Sequence, residues 1–143
     1  MATLEIALEI AAAAHAGQID KAGQPYILHP IRVMLSVNSG DERIAAILHD
    51  TVEDTSVTID DLAGAGFSSA VVDAVRALTK SDGESRIEAA LRAVQDPTAR
   101  QVKLADVTDN MDMGRIPSPT DKDYSRLEEY KRVREILLAG PET

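Results

Sequence analysis

The chain has 143 residues and a formal net charge of −9 at pH 7, long enough for one domain around one core and too short for a catalytic domain plus a regulatory one. Its acidity argues against a nucleic-acid partner, because gripping a phosphate backbone demands a basic face that displaces counterions. With no cysteine, disulfides and thiolate metal ligation are excluded, and aromatics at 3%, with no Trp and the single Phe67, leave the core to aliphatic side chains.

Leu4 to Ala16 is dense in Ala, Leu, Ile and Glu, so a first helix is expected there, with Gly17 where it stops. Gly23 and Pro25 make Asp20 to Tyr26 a loop. His29-Pro30 reads as a helix start, since a proline in the first turn loses no hydrogen bond, and this helix runs to about Val37. Ser39 to Glu42 fits a capping box and opens a third helix expected to continue to about Glu53. Thr58 to Asp61 caps a short helix ending near Gly64, and Ser68 to Leu78 follows with a stripe of Val71, Val72, Val75 and Leu78. Glu84 to Val94 repeats that pattern through Ile87, Ala90, Leu91 and Val94. Asp96-Pro97 launches a helix to about Met111, Pro117-Ser118-Pro119 breaks the chain, and a last helix runs from about Asp121 to Leu138 before Gly140 and Pro141. No segment alternates with period two long enough to form a strand. The expected architecture is all-α, a bundle of about seven to nine helices over residues 1–143.

A metal held by this chain must rest on His, Asp, Glu or backbone oxygen, which suits a reducing cytoplasm. The opening residues Met1 to Glu5 carry no basic stretch, and no apolar run approaches the roughly 18 residues of a membrane span, so the expected location is cytoplasmic. The expected partner is a small molecule, with no nucleic acid and no membrane; an anionic ligand would need a metal and local Lys or Arg against the acidic background. A homodimer is compatible with the aliphatic faces.

The segment Ala45 to Asp54 concentrates the chemistry. His49-Asp50 can seize one ion, and Glu53-Asp54, one turn later, can handle the water that ion activates. Only three histidines exist, and His29 and His49 both stand at expected helix ends, whereas His15 on an Ala-rich helix reads as a hydrogen-bonded structural residue. With His29 and Asp106 the set becomes two imidazoles and two carboxylates, a mixed N/O site that suits Mn²⁺, with Fe²⁺, Zn²⁺, Co²⁺ or Mg²⁺ as competitors. Lys103, Asp106 and Asn110 share one helical face, leaving Lys103 as a salt-bridging or a phosphate-contacting lysine. Arg115, Arg126 and Lys80 are further candidate phosphate contacts, and Tyr26 is expected to pack against its loop.

Three ordered segments carry a resemblance: Ala14 to Pro30, Leu48 to Thr55, and Val102 to Asp106 followed by Asn110. Together they resemble the hydrolase domain of the RelA/SpoT homologues, including its small standalone forms, over roughly Leu4 to Leu138. The resemblance implies the helical HD-superfamily fold and metal-dependent hydrolysis of the alarmone (p)ppGpp, without the synthetase. It implies His29, His49, Asp50 and Asp106 as metal ligands and Glu53 and Asp54 as the pair that positions or deprotonates water. It also implies substrate contacts by Asn110, Lys21, Tyr130 and Arg126. The chain departs from that family at Asp20, where an Arg is usual, and at Asp109, which adds a negative charge near the site. An HD phosphohydrolase acting on another nucleotide such as NADPH, and a nucleotide-binding module without turnover, are the alternative readings.

Overall fold

The computed structural model describes residues 2–141; Met1, Glu142 and Thr143 fall outside them. Among the described residues there are nine α-helices: α1 (Leu4–Ala14), α2 (Leu28–Leu35), α3 (Gly40–Leu48), α4 (Thr51–Asp54), α5 (Ile59–Gly64), α6 (Ser69–Leu78), α7 (Arg86–Ala93), α8 (Pro97–Asn110) and α9 (Asp121–Ala139), with one 3-10 turn at Met113–Arg115. Extended pairing among them amounts to an isolated bridge between Ile19 and Pro25. The all-α expectation holds, and no helix is long and apolar enough to cross a membrane.

Side-chain caps start most helices. Thr3, Ser39, Ser68 and Asp96 each accept from the backbone N–H three residues on. Reciprocal boxes are complete at Thr58–Asp61, Ser85–Glu88 and Thr120–Asp123, each meeting two N–H groups that a helix start otherwise leaves unpaired. At the far end of α9, Gly140 sits at φ 81, a conformation that favours glycine, and closes the helix.

Helix α3 occupies the centre, packed against α1, α2, α6 and α8. Ala45, Ala46, Ile47 and Leu48 have no accessible surface, so this end of α3 is apolar all round. The main core adds Val33, Leu62, Phe67, Val71, Val75 and Val102 to it, and a smaller cluster of Ala90, Val94, Val107, Val133 and Leu137 joins α7, α8 and α9. The site therefore grows from the best-packed helix in the molecule.

One expected element divides in two. The third helix does not run to Glu53: α3 ends at Leu48, His49 and Asp50 form the joint, and Thr51 to Asp54 make a separate single turn. The cause is local. His49 Nδ1 lies 2.5 Å from the Ala46 carbonyl oxygen and Thr51 Oγ1 donates to that of Leu48 at 2.8 Å, so side chains satisfy carbonyls that a continuing helix would have used.

Candidate metal centre

Four of the expected residues converge at the α3–α4 joint. His29 comes from the first turn of α2, His49 and Asp50 from the joint, and Asp106 from α8. His29 Nε2 is 2.8 Å from Asp106 Oδ1 and 3.7 Å from Asp50 Oδ2. His49 Nε2 is 3.1 Å from Asp50 Oδ2 and 3.4 Å from Asp106 Oδ1, yet this buried atom has no aligned hydrogen-bond partner.

A buried ring nitrogen without a partner, facing two carboxylates, is what a cation-binding pocket presents. One donor atom each from His29, His49 and Asp106 lies within 4.8 Å of the others, and Asp50, Glu53 and Asp54 form a second such group beside them. The donor set fits a divalent ion that accepts nitrogen and oxygen together. Burial works to lower the pKa of His49, and the charges of Asp50 and Asp106 override it, raising the imidazole well above its ordinary range. The same field would attract a divalent cation.

Neighbouring side chains hold each donor. Asp106 is buried, which disfavours its charge, but Lys103 and His49 lower its pKa well below the ordinary carboxylate range. Lys103 Nζ donates to Asp106 Oδ2 at 2.9 Å and Asn110 Nδ2 to Oδ1 at 3.2 Å, so the face expected of α8 is present and Lys103 is salt-bridged. The Tyr26 hydroxyl donates to Asp50 Oδ2. Packing against the loop was the expectation for Tyr26, with ligand contact allowed by its position beside the site; the structure adds a bond to a candidate metal ligand. His15, as expected, is structural: it is buried and its Nδ1 pairs with Gln18 Oε1 at 2.9 Å.

Glu53 and Asp54 line a cleft of about 320 Å³ with Tyr26, His29, Asp50, Arg86, Lys103, Asp106, Asn110 and Tyr130. Glu53 is fixed by the backbone N–H of Lys80, which donates to its Oε1 at 2.7 Å. Partial burial, then the charges of Asp50 and Glu53, push Asp54 up to about 6, inside the range where a carboxylate trades protons near neutral pH. Both Glu53 and Asp54 belong to α4, the separate turn beyond the joint, and line the same cleft.

A second cleft of about 310 Å³ opens on the other side of Tyr26, His29, Asn110 and Tyr130. Its wall mixes Ile19, Met113, Ile116 and Leu127 with Lys21, Arg32, Arg115 and Arg126. Lys21 Nζ is bonded to Asp123 Oδ1 at 2.7 Å, and Arg86 lies 5.5 Å over the Tyr130 ring, a cation–π distance. All the expected substrate-side residues, Lys21, Lys103, Asn110, Arg126 and Tyr130, thus border one cleft or the other.

Two acidic departures have structural partners, and Asp20 also lines the second cleft. Asp20 Oδ1 accepts from the backbone N–H groups of Ala22 and Gln24, each at 2.9 Å, and this turn folds the loop back on itself. Asp109 Oδ2 pairs with His29 Nδ1 at 2.6 Å, and its carboxylate also meets Arg32 and Arg115. Burial opposes the charge on Asp109, but the bonds from His29 and Arg32 bring its pKa down to about 2. Asp109 is therefore a neutralised charge and not a repulsive one. Arg115, expected as a candidate phosphate contact, is engaged with Asp109 and Asp112.

The model of the HD domain family matches residues 7–140. The chain is 40% identical over 117 residues to a guanosine-3′,5′-bis(diphosphate) 3′-pyrophosphohydrolase of Vibrio cholerae, an alignment covering 71% of this chain and 16% of that protein. It is 32% identical over 120 residues to the like-named protein of Aquifex aeolicus, covering 76% and 17%. The bifunctional (p)ppGpp synthase/hydrolase SpoT of Escherichia coli aligns at 34% identity over 71% of this chain and 16% of its own length. The chain thus spans about one sixth of the length of these relatives. Among solved structures, a metazoan ortholog of SpoT described as hydrolysing ppGpp superposes with a TM-score of 0.83 at 25% identity, covering 99% of this chain and 88% of the other.

Proposed function

This chain belongs to the HD domain family, and on that premise we propose that it hydrolyses the alarmone (p)ppGpp at its 3′-diphosphate, releasing pyrophosphate and GDP or GTP, as one domain acting in the cytoplasm. The observation that carries the reading is the convergence of His29, His49, Asp50 and Asp106 beside Glu53 and Asp54 in a cleft large enough for a diphosphate. The names of its relatives supply the substrate.

His29 Nε2, His49 Nε2, Asp50 and Asp106 would hold the ion, Mn²⁺ by the mixed nitrogen and oxygen donors. When bound, such an ion supplies Lewis-acid polarisation of the phosphoryl oxygen and lowers the pKa of water. Asp54, pushed up to about 6, takes the proton of the attacking water, and Glu53, fixed by the Lys80 N–H, orients it. Water adds to the phosphorus attached to the ribose 3′ oxygen, that P–O bond breaks, and the 3′ oxygen leaves as a hydroxyl with the proton that Asp54 took from the water. Lys103 and Arg86 on the metal-side cleft spread the charge that builds on the diphosphate under attack. Lys21, Arg126, Asn110 and Tyr130 hold the nucleoside and its 5′ phosphates in the second cleft.

A nucleotide panel offered to Mn²⁺-loaded protein tests the choice of substrate. Consumption of ppGpp and pppGpp ahead of NADPH and of simple nucleoside phosphates is expected. Turnover of NADPH with ppGpp untouched would replace this substrate with another of the same clefts.

A further inference from the structure

Asp109, we propose, is a positioning residue that fixes the ring of His29 so that its Nε2 lone pair faces the metal position, and Arg32 with Arg115 hold Asp109 for that task. The inference rests on His29 being a metal ligand, as proposed above.

His29 Nδ1 stands 2.6 Å from Asp109 Oδ2, while Nε2 on the far side of the ring points at Asp106 Oδ1, 2.8 Å away. A neutral imidazole has one N–H and one lone pair, and an ionised carboxylate can only accept. With Asp109 on Nδ1 the proton stays there, and the lone pair is left on Nε2, between Asp106 and His49. Ligating histidines characteristically make such a bond to a carboxylate or a carbonyl. His49 uses the second form, through the carbonyl of Ala46.

What sets Asp109 apart is how it is itself held. Arg32 lies three residues after His29 on α2, so one helix face presents both the ring and the guanidinium to the same carboxylate on α8. Arg32 donates through Nε at 2.8 Å and Nη2 at 3.1 Å. Arg115, from the 3-10 turn, donates to the Asp109 carbonyl at 3.0 Å and reaches its Oδ2 at 3.4 Å. Two guanidiniums on one carboxylate remove any need for Asp109 to capture the His29 proton, so it remains an acceptor. The three contacts lock α2, α8 and the 3-10 turn around His29.

Mn²⁺ titrated calorimetrically into the metal-free protein gives a readout independent of turnover. Asp109→Ala should bind Mn²⁺ about 10- to 100-fold more weakly than wild type. Asp109→Asn, whose amide oxygen still accepts from Nδ1–H, should lose less. In Zn²⁺-loaded protein labelled with ¹⁵N-histidine, His29 should carry its proton on Nδ1 and coordinate through Nε2; this measurement on the unmodified chain decides the matter even if the variants fail to fold. Wild-type Mn²⁺ affinity in Asp109→Ala, with binding lost in His49→Ala, would overturn the role of Asp109 alone, as would a His29 ring protonated on Nε2. Undiminished affinity in His49→Ala and Asp106→Ala as well would overturn the metal site itself, and the role of Asp109 with it.

Discussion

Each acidic residue around the centre has a separate task set by what touches it. Asp106, buried, and Asp50, partly buried, are the carboxylates faced by the two histidines, whereas Glu53 and Asp54 reach the cleft from a turn of their own. Glu53→Gln and Asp54→Asn should therefore leave Mn²⁺ affinity near wild type while lowering kcat by about 10²- to 10⁴-fold, the usual worth of a positioned acid or base. His49→Ala should abolish Mn²⁺ binding and turnover together. Titration calorimetry beside steady-state kinetics separates the two classes. Tyr26→Phe keeps the ring and deletes the donor to Asp50; a loss of Mn²⁺ affinity of about tenfold is expected, since such supporting bonds orient the carboxylate. Unchanged affinity in that variant would return Tyr26 to mere packing.

Among the helices, Arg92 is the clearest case of one side chain organising several elements. From α7 its guanidinium donates to the carbonyls of Arg76, Ala77 and Thr79 at the end of α6, and grips Glu84 through two nitrogens at 2.8 and 3.1 Å. It thereby shapes the segment whose Lys80 N–H fixes Glu53. Arg92→Ala removes the guanidinium from three carbonyls, of which that of Arg76 keeps the Thr79 N–H, and should cost about 1–2 kcal/mol, read as a fall in Tm of about 2 to 8 °C. Arg92→Lys should not restore it, because a lysine cannot bridge in a fork. None of this was legible in the sequence, where Arg92 is one more charge on an amphipathic helix. The helices themselves were legible, because Ala, Leu and Glu favour them and Ser, Thr and Asp mark their starts. The joint at His49-Asp50 was not, because Ala45 to Asp54 would continue a helix by propensity, and the residue pattern does not say that the His49 and Thr51 side chains will take the carbonyls of Ala46 and Leu48. Asp20 and Asp109 were readable as acidic departures, but their partners, local amides for one and α2 for the other, exist only once the chain is folded.

Across the molecule, six of the 15 Lys and Arg side chains border the two clefts, beside the carboxylates that line them. Lys21, Arg32, Arg115 and Arg126 border one cleft, and Arg86 and Lys103 the other, in a protein of net charge −9. Two ion pairs, Arg92 with Glu84 and Lys21 with Asp123, also contribute to acid stability. Hydrogen bonds from Arg92 and from the Ser81 backbone lower Glu84 from 4.5 to about 2, and Lys21 lowers Asp123 from 3.8 to about 2. Because the folded values lie below the unfolded ones, this stabilisation is complete above about pH 4.5 and is lost as pH falls toward 2. Denaturation midpoints measured from pH 5 to 2 should decline accordingly, and less steeply in Arg92→Ala, which has already lost the Glu84 share.

The proposed hydrolysis depends on a metal gathered by His29, His49, Asp50 and Asp106 and on scission at the ribose 3′ oxygen of ppGpp. Identifying the phosphate species released from ppGpp by chelator-treated protein, before and after Mn²⁺ is restored, tests it most directly. Pyrophosphate and GDP in equal amounts, only after Mn²⁺ is returned, is the predicted result; orthophosphate as the first product, or undiminished turnover by the stripped protein, would contradict it.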